Sequence, residues 1–124
     1  MTLSLVDIET FSDADFVRAF NWRVGADLFD FTDHSLAMMV RAHADDAEVW
    51  VSLTSSITGW EGGIYIGPPD VDEKLTTFSV KITREQLERM PPGSYVHSLI
   101  LIRPDGERDD IWRGTLTHEI GPTR

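Results

Sequence analysis

Alternation of apolar and polar positions is the main pattern in this chain. Residues 35–42, 49–54 and 75–82 each alternate with a period of two, and residues 15–24 do so with an interruption at Arg18. A period of two is typical of strands that place one face on a core. Turn-forming residues separate the first two segments, which favours an antiparallel hairpin between them. The pattern therefore predicts a chain built mainly of short strands.

A short helix is predicted over residues 83–90. Thr83 followed three residues later by Gln86 fits a capping box. The Pro-Pro-Gly sequence at 91–93 cannot continue the helix and favours a turn into a strand. Tyr95 follows this corner, and we expect it to be buried there with its hydroxyl bonded to the backbone.

A long strand is predicted over residues 94–102, with bulky side chains on both faces. A strand of this kind lies inside a sheet or in a sheet that is covered on both sides. Asp105 and Gly106 follow it, and this dipeptide predicts a tight turn into a return strand. The two strands form the central hairpin of the predicted fold.

The return strand is expected to place Trp112, Leu116 and Ile120 on one face. Gly114 lies between them, where we expect a bend or another side chain packed across the hairpin. A larger residue at this position would then destabilise the fold by overpacking. The residues expected to shape the hairpin and its entry are Pro92, Gly93, Tyr95, Asp105, Gly106, Trp112 and Gly114.

Seven or eight short strands and one short helical turn predict an antiparallel, immunoglobulin-like β-sandwich. An up-and-down barrel is the alternative. A chain of 124 residues has the size of a single domain. We therefore expect one β-sandwich domain over residues 1–124, with 1–14 as an N-terminal arm or strand and 121–124 as a tail.

The charge of the chain is strongly acidic and unevenly spread. Residues 1–73 hold 14 acids and 3 bases, a net −11, whereas residues 74–124 hold 7 acids and 8 bases, a net +1. Binding to nucleic acid or to anionic membranes needs clustered Lys and Arg. We therefore expect neither partner. The start of the chain lacks the pattern of a signal peptide, and without cysteine no disulfide can form.

No residue pattern in the chain predicts catalysis or metal binding. The four histidines never occur at metal-ligand spacing. His97 and His118 are expected on adjacent strands, where they could approach one another. Paired carboxylates such as Asp109 and Asp110 are expected at turn and surface positions, since aspartate favours turns through bonds to its own backbone. We expect no enzyme activity, no cofactor and no metal.

Exposed aromatic residues are the strongest candidates for a functional role. Trp60 lies in the polar loop 55–63, where it either folds back on the core or serves as an anchor for a partner. Trp50 is expected on the outward face of its strand. With Ser55 and Tyr65, these two tryptophans form the predicted interface set.

Several different short motifs are spaced along the chain from residue 30 to residue 123. They are Asp30-Phe31-Thr32-Asp33 leading into 35–41, the strands 63–66 and 78–82, residues 83–87 and 92–95, the Asp105-Gly106 turn, Trp112-Arg113-Gly114 and Pro122-Thr123. With these motifs the chain resembles a domain of tailed-phage and prophage virion proteins, the N-terminal domain of phage baseplate upper proteins. The resemblance implies a sandwich that docks a receptor-binding or fibre component onto the tail and catalyses no reaction.

The resemblance leads us to expect a non-enzymatic virion structural protein, an adaptor at the tail or baseplate or a fibre-attachment domain. Its partners would be other virion proteins, and it would occur as a homo-oligomer or in several copies. It would be made in the host cytoplasm and located in the virion. A carbohydrate-binding module using Trp60 and Tyr65 is the alternative from the residues themselves, and a small enzyme is the third.

Overall fold

The computed structural model describes residues 4–22, 33–56, 59–67 and 76–123. Across these ranges the chain folds into nine strands and one short helix. In chain order the strands are β1 (Ser4–Leu5), β2 (Ile8–Phe11), β3 (Phe16–Trp22), β4 (Ser35–Arg41), β5 (Val51–Ser56), β6 (Gly63–Ile66), β7 (Thr76–Ile82), β8 (Gly93–Ile102) and β9 (Arg108–Glu119), and the helix α1 (Arg84–Glu88) lies between β7 and β8.

All nine strands belong to one sheet with the order β1-β9-β8-β4-β5-β6-β7-β3, and β2 also pairs with β9. Because β1 and β2 follow one another along β9, the sheet is eight strands wide. Its two ends approach each other: the ring centroid of Phe20 in β3 lies 4.4 Å from that of Trp112 in β9. The predicted all-β class is confirmed, in the form of one nearly closed sheet.

Strand direction differs from the antiparallel prediction at two places. Strand β5 runs parallel to β6, and both β1 and β2 run parallel to β9. The other neighbours are antiparallel, including the predicted pair of β4 and β5. The N-terminal segment therefore lies on the sheet as edge strands.

The inward-facing apolar side chains form a single core. They alternate with more exposed neighbours, and β7 is buried at every second residue along its length. Burying one large apolar side chain contributes about 1.5–3 kcal/mol, so this shared face is the main source of stability. The largest fully buried side chains are Phe78, Leu36, Met38, Ile64, Ile82, Leu87, Leu99, Leu101, Leu116, His118, Val40 and Val51.

The strand predicted over residues 15–24 corresponds to β3. Phe16 and Phe20 are half-buried and pack against the core, and Arg18 between them is exposed. The side chain of Trp22, and Val24 with the predicted loop up to residue 32, lie outside the part of the chain that the structure describes.

The predicted helix and corner are both present. The hydroxyl of Thr83 accepts a hydrogen bond from the Gln86 backbone N–H at 3.2 Å, and the Gln86 side chain accepts one from the Thr83 N–H at 2.9 Å. Tyr95 is buried, and its hydroxyl donates to the carbonyl oxygen of Pro91 at 2.5 Å. This bond joins the start of β8 to the Pro-Pro corner, as expected.

The central hairpin of β8 and β9 turns at the predicted dipeptide. The Gly106 N–H donates to the Arg103 carbonyl at 2.9 Å, and Gly106 has a φ of +91°, a conformation that favours glycine. The ladder contains a bulge, because Leu99 pairs with Trp112 whereas Ile100 pairs with Asp110. The extra residue in β9 shifts its alternation by one position.

Gly114 is a point of very close approach, but not to a side chain of the hairpin. A Cβ atom on Gly114 would lie 1.8 Å from the carbonyl oxygen of Val6, in the link between β1 and β2. Trp112 and Leu116 face inward as predicted. The same prediction is wrong for Ile120, because β9 ends at Glu119 and Ile120 is 55% exposed.

The residues after β9 are held by the link between β2 and β3. The Gly121 N–H donates to the Ser12 hydroxyl at 3.0 Å, and the Thr123 N–H donates to an Asp13 carboxylate oxygen at 3.1 Å. The predicted tail thus follows a defined path as far as residue 123.

Candidate functional site

The turn before β6 brings Trp60 to the surface. Gly62 lies so close to β5 that a Cβ atom there would be 2.3 Å from the Thr54 carbonyl oxygen. Gly63 has a φ of +93°, and its N–H donates to the Trp60 carbonyl at 3.0 Å. Because glycine alone tolerates both conditions, the turn lies flat against β5. The indole of Trp60 is therefore placed on the outside of the sheet.

Trp60 is exposed, yet its ring has two neighbours that orient it. The side chain is 41% exposed. Its centroid lies 5.8 Å from the ring of Tyr65 at an angle of 48°, and the Lys81 ammonium lies 5.8 Å from the ring centre. A cation over an exposed indole contributes about 0.5–1 kcal/mol. We call Trp60, Tyr65 and Lys81 the Trp60 surface.

The register of the sheet extends the Trp60 surface across β7 to β3. Lys81 pairs with Val17, which is 56% exposed, and Tyr65 pairs with Ser79. Ser79 in turn pairs with the small residue Ala19. The exposed indole is therefore bordered by one cation, one exposed apolar residue and a row of small side chains.

Two of the four predicted interface residues contribute to the Trp60 surface. Trp60 and Tyr65 come together there, whereas Ser55 and Trp50 do not. The hydroxyl of Ser55 accepts a hydrogen bond from the Leu36 N–H at 2.8 Å and extends the pairing of β4 with β5. Trp50 precedes β5, is half-buried against the core and meets Tyr95 edge-on at 6.3 Å. Its prediction as an outward residue of a strand is wrong, because the alternation begins only at Val51.

The two histidines of the central hairpin are buried but separate. His97 pairs with Gly114 and His118 pairs with Gly93, so four ladder positions, roughly 13 Å, lie between them. The prediction that they approach one another is therefore wrong. Across the described ranges, no three Asp, Glu or His side chains come together in a way that could hold a metal ion.

Each buried histidine has its own hydrogen-bond partner. The indole N–H of Trp112 donates to Nδ1 of His97 at 3.2 Å, and Nδ1 of His118 lies 2.8 Å from the Thr10 hydroxyl. Burial lowers the pKa of both rings, more strongly than nearby backbone groups raise it. Both are therefore neutral groups that fasten β8 and β9 to the core and to β2.

A cleft of about 700 Å³ lies between α1, the link after β2 and the end of the chain. The carboxylates in and beside the cleft bind backbone groups. Asp13 accepts a hydrogen bond from the Thr123 N–H, and the nearby Asp15 accepts one from the Arg84 N–H at 2.6 Å. Arg84 also pairs with Glu88 at 3.4 Å. These bonds connect the link after β2 to α1 and to the last described residues of the chain.

The sequence alone did not indicate the roles of Lys81 and Val17. The alternation of residues 75–82 places Lys81 on the polar face of its strand, but its neighbours depend on which strands flank β7. The pairings of β7 with β3 and β6 join segments far apart in the chain. Sequence spacing carries no signal for such partners.

Comparison with known proteins gives distant structural likenesses only. No family model matches the chain, and no curated protein matches it. Among solved structures, one that is similar is the NK cell receptor Nkp44. The alignment covers 94% of this chain and 99% of the receptor chain, with 16% sequence identity and a TM-score of 0.48. A second is AggA, the major subunit of aggregative adherence fimbriae type I from Escherichia coli. The alignment covers 91% of this chain and 89% of the AggA chain, with 11% sequence identity and a TM-score of 0.44.

These likenesses leave the function to be inferred from the chain's own residues. No helix in the described ranges is long and apolar enough to cross a membrane.

Proposed function

We propose that this chain is a non-enzymatic structural protein of a phage virion, which joins tail or baseplate components through the Trp60 surface. One observation carries the proposal: a tryptophan is 41% exposed and yet oriented by Tyr65 and Lys81. The short motifs through which the chain resembles phage baseplate upper proteins suggest the virion context. Several of them, including the Tyr95 corner and the turn at Gly106, shape the hairpin that organises the sheet.

We also propose that the nearly closed sheet is an immunoglobulin-like β-sandwich. The bond from Tyr95 to the Pro91 carbonyl supports this, because it matches the tyrosine corner of such sandwiches in position and partner. His97 follows two residues later and is buried, at the place where antibody domains have a cysteine.

The Trp60 surface has the properties of a protein contact. Tryptophan is enriched among the residues that dominate binding energy, and such residues are usually surrounded by contacts that exclude water. Beside the indole, the residues Val17, Ala19 and Ser79 are small or apolar, so a partner could pack against them and exclude water from the contact. Because Tyr65 and Lys81 already hold the ring, little side-chain entropy is lost when a partner covers it.

Replacing Trp60 by alanine should weaken binding to a partner by about 2 kcal/mol or more, roughly 30-fold. The melting temperature should change little, because the indole lies outside the core. Binding is measured by calorimetry with purified tail and baseplate proteins encoded beside this chain. Leu5→Ala is the matched control, since Leu5 is 81% exposed on β1, which pairs with β9 and with no strand of the Trp60 surface.

Two results would contradict the proposed role of Trp60. One is a Trp60→Ala variant that binds like the wild type. The other is a variant that loses stability while binding is unchanged once folded protein is counted. Leu5→Ala is expected to match the wild type in both measurements.

Carbohydrate binding is the second candidate for the same surface. The exposed indole beside Tyr65 supports it, because aromatic faces with a polar tip suit contacts that are partly apolar and partly wet. Host polysaccharide should then change the tryptophan fluorescence of the wild type but not that of Trp60→Ala. Unchanged fluorescence together with an empty glycan array would remove this candidate.

A further inference from the structure

The outward face of β4 and β8 is unusually apolar for this molecule. Its half-buried or exposed residues alternate with the core residues of the same strands. The polar residues Ser35, Arg41 and Ser94 lie toward its ends, and the other six are Ala37, Met39, Val96, Ser98, Ile100 and Ile102. Met39 is 42% exposed. We call these six residues the Met39 face.

The neighbouring strands show what a solvated outward face looks like in the same sheet. In β5 the outward positions are Ser52 and Thr54, and in β9 they include Arg113, Thr115 and Thr117. Antiparallel sheets with one wet face normally show this polar pattern throughout. The Met39 face breaks the pattern at the centre of the four strands, where a partner would exclude water best.

The register shows that the apolar residues are contiguous. Ala37 pairs with Ile100, and Met39 pairs with Ser98 in the adjacent row. Strands β5, β4, β8 and β9 together are about 19 Å wide, and the ten residues of β8 are about 33 Å long. The whole outward face of these four strands, with its apolar centre and polar rim, therefore has a flat area of roughly 600 Å². This area is of the same order as the ~800 Å² per partner of a standard interface.

Charge favours another copy of the chain as the occupant. The outward positions of β4, β5, β8 and β9 carry three cations and two anions, a net +1, on a chain with a net charge of −10; they are Arg41, Arg108, Arg113, Asp110 and Glu119. The remaining acids of the chain lie outside these positions, and the acids of two copies repel each other when they come within a Debye length of about 8 Å. A contact through the Met39 face avoids that repulsion.

We propose that two copies of this chain pack against each other through their Met39 faces. The contact is isologous, so each copy presents the same apolar centre and the same balanced rim. This inference goes beyond the proposed function and is independent of it, because the Trp60 surface lies on β6, β7 and the turn before β6. Dimers would present two Trp60 surfaces to a partner.

Sedimentation equilibrium of the full chain tests the proposal. The wild type should be dimeric, and its dissociation constant should change little with salt because the rim charges balance. Met39→Lys should raise the dissociation constant about 100-fold or more, because it places two unpaired ammonium groups in the contact. Val17→Lys is the matched control: it makes the same charge change at an exposed apolar position of β3 and should stay dimeric.

Ser98→Lys provides a second variant in the same row, should Met39→Lys reduce folding as judged by circular dichroism. A wild type that is monomeric at all concentrations would overturn the proposal, and so would a dimer that both lysine variants leave intact. Trp60→Ala is expected to remain dimeric, so a failure of the virion proposal is distinguishable from a failure of this one.

Discussion

Replacing Gly114 by valine is expected to lower the free energy of unfolding by about 3 kcal/mol, the upper end of the usual cost of overpacking. The first added atom would already lie 1.8 Å from the Val6 carbonyl oxygen and 2.6 Å from its carbon. The Val6 N–H also donates to the Arg113 carbonyl at 3.0 Å, so this backbone is fixed beside β9. Backbone cannot move aside as the end of a flexible side chain can.

The variant can fold only if the N-terminal segment moves away from β9. We therefore expect faster amide hydrogen exchange at Val6 and at Ser12, whose N–H donates to the Glu119 carbonyl at 3.0 Å. Urea unfolding measures the free energy. Gly59→Ala is the control, because the atoms nearest its added methyl would be those of the Glu61 carboxylate at 3.3 Å. Equal unfolding midpoints for Gly114→Val and the wild type would show that the close approach is absent in solution.

The local parts of the fold could be predicted because neighbouring residues determine them. Thr83 and Gln86 cap a helix through each other, and Gly106 forms a turn through its own backbone. Tyr95 reaches only as far as Pro91. In each case the partner lies within a few residues, so the pattern in the sequence already contains the contact.

The errors arise where alternation is interrupted or where distant segments meet. The bulge in β9 buries both Ile111 and Trp112, which no strict period of two would place together. The prediction for Trp50 extends the alternation of β5 to this residue, although the strand begins only at Val51. The neighbour of Gly114 is Val6, more than one hundred positions earlier in the chain. No local pattern could have identified that contact.

The candidate surfaces divide in the same way. Trp60 and Tyr65 are five positions apart and were predicted together, since one short turn joins them. Lys81 joins them through the pairing of β6 with β7, which the sequence did not reveal. The apolar outward residues of β8 were visible in the sequence, but not that β4 adds Met39 beside them. Sequence thus indicates which side chains are unusual, and topology decides which of them share a surface.

The buried histidines predict a loss of stability in mild acid. His97 is 3% exposed and His118 is 1% exposed, and neither Nε2 atom has a well-formed hydrogen bond. Burial lowers the pKa of each ring below the ordinary value of 6.5; for His97 the backbone of Val6 and Thr115 and the charge of Asp7 oppose the effect without cancelling it. For His118 the opposing groups are backbone groups of Leu87 and Met90.

The direction of this pH dependence follows from the number of protons that the folded and the unfolded chain bind. Above pH 6.5 both rings are neutral whether the chain is folded or unfolded, so they add no pH dependence. Below pH 6.5 the histidines of the unfolded chain bind protons, whereas the two buried rings of the folded chain stay neutral. Each ring then lowers the free energy of unfolding by up to about 1.4 kcal/mol per pH unit. The loss continues down to the lowered pKa of the folded state. Carboxylates begin to contribute only near their own values of about 4.

Urea unfolding at pH 7.5, 6.5 and 5.5 measures this dependence. The free energy should be nearly constant over the upper interval and should fall over the lower one. His118→Gln should remove about half of that fall, whatever its effect on stability at pH 7.5, because the slope counts titrating groups. His43→Gln is the control, since the His43 side chain is 79% exposed. A slope that is zero in the wild type, or that His118→Gln leaves unchanged, would mean that the folded chain accepts these protons and that the two rings are not sealed in the core.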